Sequence, residues 1–125
     1  MKIKESILEK FNTGEFEYKG AKRIFELLGV KSNFEKDVIR GFLNELEAEG
    51  KIVYDSGKYV LFEHSNFVKG VIKGNERGFA FLIRSDGEAD LFIPPKYLNG
   101  AYQGDKVLVK APKPYEVEIK LIQRA

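Results

Sequence analysis

This chain of 125 residues contains no cysteine, so disulfide staples and thiolate metal sites are excluded. That absence is compatible with a reducing compartment, and a cytoplasmic location is the expectation. Histidine occurs once, as His64, with no second histidine to share a metal ion. No run approaches the roughly eighteen apolar residues of a membrane span, so no membrane partner is expected. The opening MKIKESILEKFNTGEF is charged and periodic, unlike a signal or transit peptide. Internal repeats and low-complexity tracts are missing as well. Ser6, Ser32, Ser56, Ser65 and Ser85 lie in no nucleophile motif. Metal-assisted phosphodiester hydrolysis needs several carboxylates converging on one or two magnesium ions. The only close acidic trio, Asp86, Glu88 and Asp90, reads instead as a turn followed by a strand start. No catalytic residue, metal or cofactor is assigned, and the chain alone is expected to hydrolyse nothing.

A hydrophobic fraction of 43% and a charged fraction of 32% describe a globular protein, and 125 residues suffice for two small domains. The net charge of +2 is unevenly spread: residues 1–64 carry 11 Lys+Arg against 12 Asp+Glu, and residues 65–125 carry 10 against 7. Phosphate binding is therefore favoured by the second half, though an excess of three is a weak argument by itself.

Up to Glu63-His64 the pattern is helical. Ile3, Ile7, Leu8 and Phe11 recur at helical spacing, and Asn12-Thr13-Gly14 ends a first helix. Glu15-Phe16-Glu17-Tyr18 alternates and predicts a short strand. A second helix is predicted from Gly20 to Leu28 with Gly29 as its stop. Ser32 or Asn33 caps a third, whose apolar stripe is Ile39, Phe42, Leu43 and Leu46 and which Gly50 closes. Lys51–Tyr54 and Lys58–Phe62, joined through Asp55-Ser56-Gly57, predict a hairpin. Three helices and a hairpin make a winged helix over residues 1–64. Its third helix offers Lys36 and Arg40 but also Asp37, Glu45, Glu47 and Glu49, a surface that a duplex would largely repel. The wing adds Lys51 and Lys58. Structured RNA or duplex contacts, a DNA-binding regulator and a protein-docking adaptor all remain open for this half.

From residue 65 the pattern becomes all-β. Strands are predicted at Phe67–Lys73, Gly78–Arg84, Ala89–Ile93, Asp105–Ala111 and Glu116–Gln123. Asn75–Gly78 and Ser85–Glu88 supply hairpin turns. A connector runs through Pro94-Pro95-Lys96-Tyr97-Leu98, and Pro112-Lys113-Pro114 separates the last two strands. Five short strands with one connector after the third suit an OB fold, making the whole chain α+β. Alternation puts Phe79 and Phe81 on one face with Ala80 and Leu82 on the other, and sends Phe92 out while Leu91 and Ile93 go in. Phe79, Phe81 and Phe92 then form an aromatic face with Lys73 and Arg77 beside it. Stacked bases above and phosphates alongside, with little sequence preference, is what such a face suits. Arg84 and Lys96 are candidate phosphate contacts, and Tyr97 a candidate rim contact. Packing of the same rings against the helical half or the C-terminal segment is the competing reading. The residues alone argue for single-stranded nucleic acid without separating RNA from DNA.

GVIKGNERGFAFLIRSDGEADLFIPPKYLNGAYQGDKVLVK resembles the cold-shock type of OB fold, and in finer detail the first cold-shock domain of the bacterial ribonuclease R-type exoribonucleases (the ribonuclease II/R family). The likeness rests on Pro94-Pro95, Leu98, Gly100-Ala101, Gly104-Asp105 and Val107. LNELEAEGKIVYDSGKYVL is similar to that family's N-terminal winged region. Gly74 and Pro94 stand where free-standing cold-shock proteins have an aromatic and a histidine, which makes the platform smaller. The resemblance implies that single-stranded RNA is the partner and that the chain is a monomeric N-terminal segment of a longer 3′-to-5′ exoribonuclease. Magnesium and the catalytic aspartates are then expected in a domain that this chain lacks.

Overall fold

The computed structural model describes residues 2–113 and 116–125, which divide into two compact units between Ser65 and Asn66. In the first unit, α1 (Ile3–Asn12), α2 (Ala21–Leu28) and α3 (Asn33–Ala48) precede the antiparallel strands β1 (Ile52–Asp55) and β2 (Lys58–Leu61). One-turn spacing puts Ile7 and Phe11 on the same side of α1, and Ile39, Leu43 and Leu46 on one side of α3; all five are buried with Ile24, Ile52 and Leu61. Phe42, expected within that stripe, is only half-buried.

The helix ends follow local chemistry. The Ser32 hydroxyl accepts the Glu35 N–H at 3.1 Å, a cap worth about 1 kcal/mol. Gly29 stops α2 in the left-handed region at φ 71°, where a Cβ would be strained.

Residues 15–18 do not form the expected strand. Phe16 and Glu17 are both buried, which alternation forbids, and Tyr18 turns the chain at φ 60°. Glu17 explains the departure: its carboxylate accepts the Leu61 N–H at 3.1 Å and pairs with His64 Nδ1. A side chain here satisfies a backbone donor that a strand would otherwise have met. Only Lys19 makes a bridge, to Tyr59.

The second unit is a five-stranded antiparallel sheet of β3 (Phe67–Gly74), β4 (Ala80–Arg84), β5 (Leu91–Ile93), β6 (Lys106–Lys113) and β7 (Glu116–Gln123), in the order β5-β4-β3-β6-β7. A meander of three strands returns through residues 94–105 to set β6 against the free side of β3, a Greek-key order. Ile72, Ala80, Leu82, Ile93, Val107, Val109 and Ile119 fill the inner face, with Leu91 packed against them. Gly70 has no room for a side chain, since a Cβ would lie 2.4 Å from the Ile83 carbonyl oxygen.

Several strand boundaries differ from expectation, most by one residue and three by more. β4 starts at Ala80 because Gly78 sits at φ 91°, outside strand geometry. β5 starts at Leu91, two residues later than the alternation suggests. β6 continues past Ala111 to Lys113 through a register shift between Lys110 and Lys113, an irregularity of the kind that accommodates Pro112. The turn at Pro114 lies outside the described residues.

Candidate nucleic-acid interface

The outer face of β3-β4-β5 follows from strand period and register. Lys73 on β3 stands opposite Phe81 on β4, which stands opposite Phe92 on β5. Cross-strand partners share a face, so these three side chains form one row over the buried Ile72, Leu82 and Ile93. Phe79, just ahead of β4, joins them. Ring centroids lie 5.8 Å apart for Phe79–Phe81, 5.3 Å for Phe79–Phe92 and 5.8 Å for Phe81–Phe92. Phe81 is 38% and Phe92 54% exposed, while Phe79 is half-buried. Interplanar angles of 85°, 50° and 65° tilt each ring against the others, so the triad is faceted rather than flat.

The flanking cations differ in what holds them. Lys73 is exposed at the end of the row. Arg77 rides on the 75–78 turn, fixed where the Asn75 side-chain oxygen accepts the Arg77 N–H at 3.0 Å. Among the described residues neither cation has an ion-pair partner.

Arg84 is placed differently. It shares strand parity with the buried Ala80 and Leu82, away from the rings. Its guanidinium forks onto Asp86 with N–O distances of 3.1 and 2.6 Å. That hydrogen bond raises the Arg84 pKa and holds Asp86 below the usual carboxylate value, so this charge is already matched. Lys96 lies on a single 3-10 turn, Pro95–Tyr97, with its Nζ 5.0 Å from the centre of its neighbour's ring, and Tyr97 packs partly against the core.

Three residues on or beside this surface carry no mark in the sequence reading. Ile83 is 40% exposed on the ring face, where continuing the Phe79/Phe81 alternation would have put it. Lys106 is exposed and pairs across the ladder with Val71, which places a cation on the same side of the sheet. Tyr102 is 71% exposed in the 98–105 connection, where no periodicity could mark it.

That connection is anchored by Asp105, whose side chain is 2% exposed. Its carboxylate accepts the Tyr102 N–H at 2.8 Å, the Ala125 N–H at 2.9 Å and the Arg124 guanidinium at 2.9 Å. The Tyr102 and Ala125 donors, with Arg124, hold the Asp105 pKa below the ordinary value against the effect of burial.

Residues 70–120, which include the aromatic row and the whole of the connection, match the ribonuclease B OB domain family. That stretch is similar to the OB domain of ribonuclease II/R-type proteins. It is 30% identical over 78 residues to ribonuclease R of Acidithiobacillus ferrooxidans, covering 62% of this chain and 18% of that protein. Exoribonuclease 2 of Serratia proteamaculans is 44% identical over 50 residues, covering 40% of this chain and 8% of that protein. A Synechocystis protein described as acetazolamide conferring resistance protein zam is 32% identical over 87 residues, 69% of this chain and 11% of its own length. The chain thus spans under a fifth of the length of each of these three relatives.

In the second unit, Asp86 is engaged by Arg84 and by the Glu88 N–H at 3.0 Å. Among the described residues no three His, Asp or Glu side chains are grouped to hold a metal ion. Among the described residues no helix is long and apolar enough to cross a membrane.

Proposed function

We propose that this chain is a single-strand RNA-binding module of a longer ribonuclease II/R-type exoribonuclease, with cleavage carried out by a domain outside it. The observation that supports this reading is the row Lys73–Phe81–Phe92, completed by Phe79, standing open on the outer face of a filled sheet. Apolar rings held in water by their own strands are a standing cost to solubility, and a stacked nucleobase removes it. Because the rings face different directions, bases are splayed across the facets rather than kept in one continuous stack. Lys73 and Arg77 neutralise the accompanying phosphates, Lys106 extends that track, and Lys96 and Tyr97 lie at its rim. Arg84 contributes less, since Asp86 already occupies it. Sequence preference on the rings themselves is low because every base offers a π face.

The first unit has the helix and hairpin order of a winged helix, and we propose that assignment for it. Its third helix is a poor groove reader: Glu45 and Glu49 are held by Lys4 at 3.3 and 2.7 Å, and Arg40 by Asp37 at 3.1 Å. Phe34 and Val38, one turn apart on α3, are 77% and 37% exposed, which favours a protein contact over a DNA groove for this unit.

Titration of the full chain with labelled single-stranded RNA, single-stranded DNA and duplex at two salt concentrations tests the assignment. The expected result is tighter binding to single strands, with affinity falling as salt rises. Preference for a duplex would favour the third helix as the reader. No binding to any of the three would leave a protein-docking adaptor.

A further inference from the structure

Beside the ring triad, between the 74–79 turn and the 98–103 connection, the second unit holds a cleft of about 530 Å³. That volume lies in the range of roughly 300–1,000 Å³ typical of small-ligand sites. Its floor is apolar, from Ala80, Leu98 and Ala101, and Phe79 belongs both to the cleft lining and to the triad. A strand lying on the rings therefore passes the cleft mouth.

The polar groups at the mouth are restricted in kind. Gln103 accepts the Gly74 N–H through Oε1 at 2.8 Å, and Asn75 accepts the Arg77 N–H through Oδ1. Each amide oxygen is thereby engaged, which leaves the –NH₂ group of each side chain as a donor. Glu76 also lines the cleft and, when ionised, is acceptor-only. A carboxylate at the mouth repels phosphate, so the occupant is an uncharged ring rather than the backbone. Tyr102 is pre-set beside it: its N–H is held by Asp105, and its ring centre lies 5.8 Å from the Arg124 guanidinium.

One nucleobase meets all three demands, with adjacent N–H donors for a carboxylate, a carbonyl acceptor for an amide, and a broad face for an aromatic ring. We propose that the cleft is a subsite for a single guanine of the bound strand, read by Glu76 and Gln103 and covered by Tyr102. The proposal rests on the single-strand binding assignment and adds a base-discriminating position to an otherwise tolerant platform.

The test compares an octamer of uridines with the same octamer carrying one central guanosine, titrated against the full chain and against Glu76→Gln, Tyr102→Ala and Phe81→Ala. A bidentate base contact gives the guanosine oligomer a roughly tenfold advantage. Glu76→Gln should erase that advantage, while the uridine octamer binds at least as tightly as it does to the wild type because a charge that repels phosphate is gone. Tyr102→Ala should weaken the guanosine oligomer several-fold more than the uridine one, and Phe81→Ala should weaken both alike. A wild-type chain that binds the two equally, or a guanosine advantage that survives both cleft variants, overturns the subsite. Uniform binding with a Phe81→Ala defect would overturn the subsite while leaving the platform standing. Unchanged affinity in Phe81→Ala overturns the platform instead.

Discussion

Each unit of this protein gathers aromatic rings in tilted and edge-on contact, and the two clusters have opposite fates. In the first, Phe11 meets Phe16 at 5.7 Å and 85° and Tyr59 at 6.5 Å and 68°. In the second, Phe81 meets Phe79 at 5.8 Å and 85° and Phe92 at 5.8 Å and 65°. Ring geometry does not separate them. Exposure does, with Phe11 and Phe16 sealed and Phe81 and Phe92 open to water. Burial raises the Tyr59 phenol pKa. Edge-to-face contact is therefore neutral between a buried core and an exposed face. What lies on the far side of the rings decides which one it builds.

The largest expected effect of a substitution belongs to the sealed cluster. Phe11→Ala should destabilise the chain by about 3–5 kcal/mol in urea denaturation, through the burial forfeited and the cavity left behind. A cost below ~1 kcal/mol would show that this cluster is not a core. Phe81→Ala should invert the pattern. Affinity for a single-stranded oligonucleotide should fall by about 1–3 kcal/mol for each base that no longer stacks. Stability should change by on the order of 1 kcal/mol, the scale of the ring–ring interactions that the truncation deletes. A stability loss as large as that of Phe11→Ala, with affinity intact, would make the second triad a core as well. The smallest effects concern charge. Lys73→Ala or Arg77→Ala should lower the slope of log affinity against log salt by about one, evenly across sequences. Arg84→Ala should leave the slope as it is, because Asp86 neutralises that guanidinium before any phosphate arrives. Equal slopes for Lys73→Ala and Arg84→Ala would remove the distinction drawn between a row cation and an off-row one.

Much of this was legible along the chain. The stripe of Ile39, Leu43 and Leu46, the Ser32 cap and the Gly29 stop are local rules, and local rules can be read from neighbours. Alternation in Phe79–Ile83 likewise marked the inner and outer faces of β4 in advance. The same alternation, carried one step further, would have put Arg84 with Ala80 and Leu82 and Ile83 with the rings; charge type drew attention to Arg84 and away from its parity. Residues 15–18 misled for a different reason. The short alternation there was overruled by Glu17, whose partners Leu61 and His64 lie 44 and 47 positions away. Tyr102 had no local signal, since a loop residue takes its place from what anchors the loop. Asp105 and Arg124 do that here.

Residue order by itself settled which side chains could share a face, because the periods of helix and strand are properties of a few consecutive residues. It settled the helix stops as well, and the presence of an aromatic-basic segment. Only the folded molecule decided that Lys73, Phe81 and Phe92 stand in one row, since register joins strands that the chain cannot compare in advance. Tertiary packing also decided that Phe11 is sealed while Phe92 is wet. Solvent access depends on every neighbour in space, and most of those neighbours are distant in sequence.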